Sequence, residues 1–370
     1  MKILFTGGGT CGHLTPAIAM ADAVRENIKD TEILFIGRRG GEENKLVQTA
    51  GYELKEVDIK GLCRESRLKQ VMGALRSCRA VFEAGRIIKE FEPDLTVGTG
   101  GYASFPALAY STLAGIPTVI HESNAYPGLV TRLFAKRARL TLLGLEGARE
   151  HLRGRARVRV VGNPTRGDFD KISRAEARAS VGVMDKILIL SVGGSGGAKS
   201  LNDAAIGLMR GYSKKSKNIL HIHVTGRAYY ESVIKNAAEL RKDSPNLKIV
   251  PFIEDMPRYI CAADIVISRC GAMTVSELLH VGCPAILIPS PNVTDDHQMK
   301  NALEAKRVGD AVLIPEAELT DMRLIYEVDR LVRDKRLRDR MRNKMKAAYR
   351  APRAEELSEI LYECARKKIE

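Results

Sequence analysis

Two stretches of the sequence decide the fold: KILFTGGGTCGHLTPA (residues 2–17) and KILILSVGGSGGAKSLN (residues 186–202). Each begins with an apolar run typical of a buried strand, continues into a cluster of glycines and ends in residues that favour a helix. A strand, a glycine-rich turn and a helix open the βαβ unit of a nucleotide-binding domain. The two similar openings therefore predict two domains of the same kind, separated where NPTRGDFDKIS (residues 163–173) interrupts the pattern.

Elsewhere, short apolar runs alternate with helical stretches. The runs are rich in Ile, Val and Leu without regular polar alternation, which is typical of parallel strands covered on both faces. We expect an α/β fold with two doubly wound, Rossmann-like parallel-sheet domains facing each other across a cleft. The expected domains are residues 1–163 and 164–350, followed by a helix at 351–370 that packs back toward the first. The strand-like runs are residues 2–7, 32–37, 54–59, 94–100, 117–123, 139–144, 158–163, 186–193, 219–226, 247–253, 264–270, 284–290 and 311–315.

The composition narrows the class of protein. The 370 residues carry 59 Lys and Arg against 45 Asp and Glu, a net charge of +14, which favours a polyanionic partner: nucleic acid, an anionic membrane surface or a phosphorylated substrate. With 5% aromatic residues and no Trp, the chain has few stacking platforms for single-stranded nucleic acid. No apolar run is long enough to span a membrane, and no signal peptide is expected. Seven scattered cysteines without a Cys-x-x-Cys pair fit a reducing cytoplasm.

The first glycine loop fits G-x-G-x-x-G through Gly7, Gly9 and Gly12. Glycine permits positive φ and close approach of a ligand, and Thr15–Pro16 predicts the start of a helix. A tight turn without a ligand would use the same glycines, so this pattern alone is weak. His13 adds a titratable side chain at a helix N-terminus, which favours anions.

The second loop, GGSGGAKS (residues 193–200), approaches the phosphate-binding pattern G-x-x-x-x-G-K-S. Ala198 replaces its second glycine, so we do not expect a true P-loop. Ser195 and backbone N–H groups still provide a reasonable phosphate site. The Asp-x-Asp at 168–170 is better interpreted as turn chemistry than as a metal clamp.

The stretch SRCGAMTVSELLHV (residues 268–281) predicts a strand end, a turn at Gly271–Ala272 and a helix that carries Glu277. A carboxylate there can accept two ribose hydroxyls while the helix N-terminus faces a diphosphate. Alternatively, Glu277 is only a favourable charge near a helix start. Downstream, His297 and Gln298 open the next predicted helix.

Two further motifs end predicted strands on the side where open α/β sheets bind ligands: HESNAYPG (residues 121–128) and GTGGY (residues 98–102). In contrast, His221 and His223 alternate with Ile222 inside a strand, and we assign them no function.

Together these motifs resemble those of the MurG family of peptidoglycan glycosyltransferases (glycosyltransferase family 28), whose fold is GT-B. They follow the family's order over roughly residues 1–315 and are specific in combination, although each loop alone is not. The motifs are GGGTCGHLTPA (7–17), GTGGY (98–102), HESNAYPGLVTR (121–132), VVGNPTR (160–166), GGSGGAKSLN (193–202), FIEDM (252–256), SRCGAMTVSEL (268–278) and DDHQMKNA (295–302).

The resemblance implies transfer of N-acetylglucosamine (GlcNAc) from UDP-GlcNAc to the 4-hydroxyl of N-acetylmuramic acid (MurNAc) in undecaprenyl-pyrophosphoryl-MurNAc-pentapeptide (lipid I). The product would be lipid II, formed with inversion at the anomeric carbon. The acceptor and the membrane-side surface would belong to residues 1–163, and UDP-GlcNAc binding to residues 164–350. We expect no metal and no other cofactor, so that helix N-termini and Arg166 stabilise the departing diphosphate.

The resemblance also implies the site residues. Glu277 would hold ribose hydroxyls, Ile253 would contact uracil through its backbone, and Ser195 with Arg166 would meet the diphosphate. His13 is the candidate general base because it is titratable and lies on the loop facing the acceptor; His13 and Glu277 form the predicted catalytic set. The predicted substrate-binding residues are Thr10, Cys11, Gly12, Asn124, Arg166, Ser195, Ile253, Ala272, Met273, Thr274, Val275, Ser276, Glu277 and Gln298.

Three residues depart from the family's pattern. Cys11 stands where the family prefers Gly, Ser123 where it prefers Gln and Thr131 where it prefers Asn. These departures affect the residues expected to bind the acceptor more than those expected to bind the donor.

Three alternatives remain open. A related GT-B enzyme would act on another lipid acceptor, such as diacylglycerol. An NADP-dependent oxidoreductase would use the first glycine loop for pyrophosphate and Arg38 or Arg39 for a 2′-phosphate, but it leaves the second loop and the Glu277 helix unexplained. An RNA-binding protein would explain the net charge, but the sequence contains no RNA-binding module, and we expect no nucleic-acid partner.

Basic residues in the first domain predict peripheral binding to the anionic cytoplasmic face of the cell membrane. The stretch 68–91 also carries apolar residues at near-helical spacing, among them Val81 and Phe82, which face either the domain interior or the membrane. Because no long aromatic wedge is evident, we expect charge to dominate over insertion. The basic residues are Arg64, Arg67, Lys69, Arg76, Arg79, Arg86, Arg132, Lys136, Arg137, Arg139, Arg149, Arg153, Arg155, Arg157 and Arg159.

Overall fold

A computed structural model describes residues 1–9, 11–41, 44–60, 67–152, 154, 156–165, 169–183, 185–194, 196–241 and 244–366, with only the backbone described at 11, 67–76 and 241. The chain divides into two compact units. The first unit comprises residues 1–166 and 351–370, and the second comprises residues 167–350. None of the described helices combines the length and the hydropathy that a membrane-spanning helix needs.

Each unit contains one parallel sheet, as predicted, and every predicted strand-like run overlaps a strand. The sheet of the first unit has seven strands in the order β3-β2-β1-β4-β5-β6-β7, and that of the second has six in the order β10-β9-β8-β11-β12-β13. The strands are β1 (Lys2–Thr6), β2 (Glu32–Arg38), β3 (Glu53–Val57), β4 (Leu95–Gly98), β5 (Thr118–Glu122), β6 (Leu140–Leu143), β7 (Val158–Val160), β8 (Ile187–Val192), β9 (Ile219–Val224), β10 (Leu247–Val250), β11 (Ile265–Ser268), β12 (Ala285–Leu287) and β13 (Val312–Leu313).

α-Helices connect most successive parallel strands, and the connection between β6 and β7 contains a 3₁₀ helix at Glu146–His151 instead. The α-helices are α1 (Cys11–Asn27), α2 (Asn44–Thr49), α3 (Arg67–Phe91), α4 (Phe105–Leu113), α5 (Leu129–Phe134), α6 (Arg174–Val181), α7 (Lys199–Gly211), α8 (Tyr230–Asn236), α9 (Ala238–Arg241), α10 (Met256–Ala262), α11 (Ala272–Val281), α12 (His297–Gly309), α13 (Asp321–Arg333), α14 (Lys335–Ala348) and α15 (Ala354–Arg366).

Burial on both faces explains why the strands lack polar alternation. Successive side chains of a strand point to opposite faces, and in β1 both sets are buried. Ile3 and Phe5 join a cluster that includes α1 and α15, while Leu4 joins a cluster with α3 on the other face. The rings of Phe5 and Phe35 stack with centroids 5.3 Å apart, which fixes neighbouring strands β1 and β2.

The C-terminal helix α15 belongs to the first unit and packs on α1. Leu357, Ile360 and Leu361 are buried in the same cluster as Ile18. Glu356 forms an ion pair with Arg159 of the β7 segment, with 2.8 Å between Oε1 and Nη2. The residues after Pro352 therefore complete the core of the first unit.

In each sheet the strand order reverses beside the first strand of the unit. The reversal lies between β1 and β4 in the first unit and between β8 and β11 in the second. At such a switch point, the loops that leave the carboxyl ends of neighbouring strands diverge and form a crevice that binds ligands. Both glycine loops predicted from the sequence follow the strand at this point.

The start of α1 was predicted wrongly. The helix begins at Cys11, so Thr15 is not its N-cap and Pro16 lies inside it, which leaves the carbonyl of Gly12 without the usual i+4 donor. Gly8 and Gly9 have φ of 142° and 87°, conformations that turn the chain directly after β1. Because glycine alone adopts such angles freely, the turn is completed before Thr15 is reached.

Candidate active site

The second unit contains a pocket of about 550 Å³ at the carboxyl ends of its central strands. Its walls come from the loop after β8, the start of α7, and the loops after β9, β11, β12 and β13. Its position is the switch point of the sheet, where the topology predicts a ligand. The lining residues are Gly193, Gly197, Ala198, Lys199, Ser200, Asp203, Tyr229, Arg269, Ser290, Asn292, Gln298 and Glu316.

The loop after β8 requires glycine because it crosses the end of β9 at close range. Gly197 has φ of 77°, and a Cβ there would lie 2.2 Å from the carbonyl oxygen of Thr225. Asn202, on α7, donates from Nδ2 to the same oxygen over 3.1 Å and holds the loop in place. Helix α7 then begins after Ala198 with no side-chain cap, so its first N–H groups are open to an anion.

Helix α11 offers the second open N-terminus. Its N-cap, Gly271, has no side chain to satisfy the N–H groups of the first turn. The backbone N–H groups of Ala272 to Thr274 therefore have no intrahelical acceptor, and the helix begins one residue before its predicted opening at Met273. Glu277 follows one turn later on the same helix.

Glu277 carries a carboxyl group with unused hydrogen-bonding capacity. Burial raises the pKa of Glu277 from its ordinary 4.5 to about 7. None of the described residues donates a hydrogen bond to this side chain. A desolvated carboxylate without donors favours a ligand that brings hydroxyl groups to it.

Gln298 links the ends of two strands beside the pocket. Its Oε1 accepts hydrogen bonds from the backbone N–H of Cys270 over 3.3 Å and of Ser290 over 2.9 Å. The amide NH₂ therefore points away from these strand ends and has no acceptor within the described ranges. A buried neighbour, Asn301, donates to the carbonyl of Cys270 over 3.1 Å and supports the same loop.

Ile253 follows β10 at the opposite edge of the second unit's sheet. Its side chain is buried, and its backbone N–H and C=O make no hydrogen bond to any described residue. The neighbouring Phe252 is exposed, and the guanidinium of Arg227 lies 4.8 Å from its ring centroid. A free backbone donor and acceptor beside an aromatic surface suit a nucleobase edge.

Sequence reasoning missed one polar set in the pocket wall. Arg269 forms an ion pair with Glu316, and both side chains contact the hydroxyl of Ser200. Arg269 was detectable, because it lies at the end of a predicted strand. Glu316 was not, because its loop after β13 carries no recognisable motif.

In the first unit, the glycine loop packs against the GTGGY motif. A Cβ on Gly7 would lie 2.2 Å from Oγ1 of Thr99, and one on Gly101 would lie 1.9 Å from the carbonyl oxygen of Gly8. The ring of His13 lies against the backbone at Gly100 and Gly101: a Cβ on Gly101 would lie 3.1 Å from its Nδ1. The two motifs thus form one surface that carries a partly exposed histidine.

Glu122 organises the loop that contains Asn124. Its carboxylate accepts hydrogen bonds from the backbone and side chain of Asn124, over 3.0 and 3.1 Å, and from the backbone of Gly128 over 2.9 Å. Thr131, one of the three departures, donates to it from Oγ1 over 2.6 Å. The departure at position 131 therefore takes part in fixing this loop.

His121 lies at the base of the same surface and is fully buried. Desolvation, with a smaller contribution from a charge on His13, lowers the pKa of His121 to about 4. His121 is therefore neutral at physiological pH and is unsuited to act as a cation.

Several predicted residues lie outside the described part of the chain: Thr10, Arg166 and Ser195, together with the side chain of Cys11. Among the described residues, no group of three or more His, Cys, Asp or Glu side chains could hold a metal ion. His221 and His223, to which we assigned no function, are buried in the core of the second unit.

Two Rossmann-like domains, each with a glycine loop at its switch point, are combined with uncapped N-termini of α7 and α11 and with Glu277 one turn into α11. These features are those of a nucleotide-sugar enzyme of the GT-B class. The family comparison agrees. Residues 3–142 match the glycosyltransferase family 28 N-terminal domain, and residues 188–357 match the C-terminal domain of the same family. The chain belongs to glycosyltransferase family 28.

Individual relatives and solved structures are similar to this chain over nearly its whole length. The chain is 35% identical, over 100% of its length and 99% of the relative's, to a UDP-N-acetylglucosamine–N-acetylmuramyl-(pentapeptide) pyrophosphoryl-undecaprenol N-acetylglucosamine transferase of Acetivibrio thermocellus. It is similar to the crystal structure of Acinetobacter baumannii MurG, with 25% identity, a TM-score of 0.78 and coverage of 98% of this chain and 99% of that one. A UDP-GlcNAc 2-epimerase of Neisseria meningitidis bound to UDP-GlcNAc shares the fold, with 13% identity, a TM-score of 0.67 and coverage of 98% and 99%.

Proposed function

We propose that this enzyme transfers GlcNAc from UDP-GlcNAc to the MurNAc 4-hydroxyl of undecaprenyl-pyrophosphoryl-MurNAc-pentapeptide, forming lipid II. The observation that carries the proposal is the uncapped α11 N-terminus with the donor-free carboxyl group of Glu277 one turn further on. This arrangement suits a nucleoside diphosphate, which brings both an anion and ribose hydroxyls. Full-length relatives with this named activity support the choice of sugar and acceptor.

The second unit binds the donor in this proposal. Glu277 accepts the ribose hydroxyls, and the backbone of Ile253 pairs with the edge of uracil. The first turn of α11, from Ala272 to Ser276, faces the diphosphate and the sugar, and the free amide of Gln298 donates to the sugar. Ser195 contributes a further diphosphate contact, and Arg166, the last residue of the first unit before the second begins, is the remaining residue proposed for the diphosphate.

The first unit binds the acceptor and supplies the base. Thr10, Cys11, Gly12 and Asn124 border the acceptor, and His13 takes the proton from the attacking 4-hydroxyl. The bond from the anomeric carbon to the phosphate oxygen breaks as the bond to the acceptor oxygen forms, and UDP leaves with the electron pair. A single in-line displacement of this kind inverts the anomeric carbon.

Membrane contact through the first unit is part of the proposal. Helices α3, α4 and α5 share one apolar cluster, with Val81 and Phe105 packed against it. Beside this cluster Phe82 is 74% exposed, and Leu129 and Leu133 are also exposed. Together with exposed Arg79, these side chains suit the interface of an anionic bilayer. In this proposal, the exposed apolar side chains contact the membrane in addition to the basic residues that the sequence predicted.

Calorimetry with UDP, NADPH and an RNA oligonucleotide tests the class of ligand. Of these three ligands, we expect only UDP to bind. Binding of NADPH without UDP would favour the oxidoreductase alternative, and binding of RNA alone would favour the nucleic-acid alternative. Turnover in the presence of EDTA then tests the expected independence from metals; activity lost to EDTA and restored only by Mg²⁺ or Mn²⁺ would contradict it.

A further inference from the structure

Three side chains from three separate segments contact one another in the wall of the second-unit pocket. Arg269 follows β11, Ser200 is the second residue of α7, and Glu316 lies after β13. Nη2 of Arg269 donates to Oγ of Ser200 over 2.9 Å and forms an ion pair with Oε2 of Glu316. Because Arg has no acceptor, the hydroxyl hydrogen of Ser200 goes to the same Glu316 oxygen, over 2.9 Å.

The guanidinium of Arg269 is largely buried, and not all of its N–H groups donate hydrogen bonds. Its side chain is 12% exposed, and its Nη1 donates to the carbonyl oxygen of Ile288 over 3.1 Å. Of the five N–H groups that a guanidinium carries, two donate hydrogen bonds, to Ile288 and Ser200, and the charge pairs with Glu316. The remaining N–H groups make no further hydrogen bond within the described parts of the chain. A fixed cation with free donors at the wall of a pocket suits an anionic oxygen.

The other cation that lines the pocket is held less firmly. Lys199 pairs with Asp203 over 2.5 Å, but the Lys199 side chain is 77% exposed. An exposed pair of this kind is screened by water and salt and does not fix the position of its cation. Arg269 is therefore the preorganised positive charge in this wall, close to the open N–H groups at the start of α7.

We propose that Arg269 binds a phosphate oxygen of the nucleotide donor, and that Glu316 is a positioning residue that holds the guanidinium in place together with Ser200. The inference rests on the proposed function, since it assumes a nucleoside diphosphate ligand. Glu316 acts through Arg269 and does not touch the ligand, because a carboxylate repels a phosphate. Holding the guanidinium beforehand reduces the ordering that the ligand would otherwise have to impose.

The test compares the binding of UDP and of uridine by calorimetry. Arg269→Gln should weaken UDP roughly 10- to 100-fold, since it removes a charged hydrogen bond. Glu316→Gln should weaken UDP by a smaller factor, about 3- to 10-fold, and should add less than about 2-fold in the Arg269→Gln background, because the two residues act as one unit. Uridine, which lacks phosphate, should bind all variants equally. Glu318→Gln is the matched control, since Glu318 is exposed on the same turn.

Ser200→Ala provides a second variant should Glu316→Gln fail to fold. It removes the bridging hydroxyl but keeps both charges, and it should also weaken UDP without affecting uridine. Tighter UDP binding by Glu316→Gln would show that Glu316 masks Arg269, which overturns the inference. Equal losses of affinity for UDP and for uridine would indicate that the residues have a purely structural role, which would overturn the inference. Additive effects of Arg269→Gln and Glu316→Gln on UDP binding would overturn it as well. Absence of UDP binding by the wild-type protein would refute the proposed function itself.

Discussion

Replacing Glu277 by Gln is expected to stabilise the ligand-free protein. Burial raises the pKa of Glu277 from 4.5 to about 7, so the folded state binds its proton more tightly than the unfolded chain. A group of this kind contributes stability at pH below 4.5 and loses that contribution as the pH rises through 7. The shift corresponds to at most about 3 kcal/mol. Glu277→Gln, which does not titrate, should therefore gain stability over the wild type above pH 8 and little at pH 5.

The same substitution should weaken the binding of UDP. Ribose hydroxyls donate to the ionised carboxylate, so binding lowers the pKa of Glu277 and releases about half a proton at pH 7. UDP affinity of the wild type should therefore rise between pH 6 and pH 8. Loss of the charged hydrogen bonds in Glu277→Gln should weaken UDP roughly 10- to 100-fold and remove this pH dependence.

Urea unfolding at pH 5 and pH 8 measures the stability, and calorimetry in two buffers of different ionisation enthalpy measures the released proton. Glu318→Gln serves as the control, with no change expected in UDP binding. The reasoning is refuted if Glu277→Gln is less stable than the wild type at pH 8. It is equally refuted if UDP binding by the wild type releases no proton at pH 7.

Three further outcomes are expected. His13→Ala should lower kcat roughly 10²- to 10⁴-fold while UDP affinity changes little; near-normal kcat would eliminate His13 as the base. Desolvation lowers the pKa of His221 to about 3 and of His223 to about 4, so urea midpoints should fall steeply as the pH drops from 6.5 toward 4, and a flat midpoint over that range would contradict this. Arg79→Glu combined with Phe82→Ser should reduce binding to anionic vesicles while activity on a soluble acceptor analogue persists; unchanged vesicle binding would exclude this surface.

The parallel sheets were predictable because their signal is local. Each strand is a short apolar run such as β1, and burial of both Ile3 and Leu4 on opposite faces removes the polar alternation that marks an antiparallel strand. The glycines that end these strands were equally visible, because positive φ at Gly9 and Gly197 excludes most other residues. The start of α1 was predicted wrongly because of the loop after β1. Its glycines turn the chain before Thr15 and Pro16, so the helix begins earlier than Pro16 suggested.

The pocket wall was only partly predictable because it depends on contacts that are distant in sequence. Glu277 follows a recognisable turn, but its raised pKa comes from burial that no spacing reveals. Glu316 meets Ser200 from 116 residues away. Likewise, the exposure of Phe82 depends on how α3 packs, since its helical spacing fits an inward or an outward position equally well.

The central claim is tested most directly by one transfer reaction. Purified protein is incubated with UDP-GlcNAc and a short-chain analogue of undecaprenyl-pyrophosphoryl-MurNAc-pentapeptide, and the product is analysed by mass spectrometry and by NMR of the new linkage. We expect addition of a single GlcNAc to the MurNAc 4-hydroxyl, inverted at the anomeric carbon. Retention at that carbon, or absence of transfer to this acceptor by protein that binds UDP, would contradict the account.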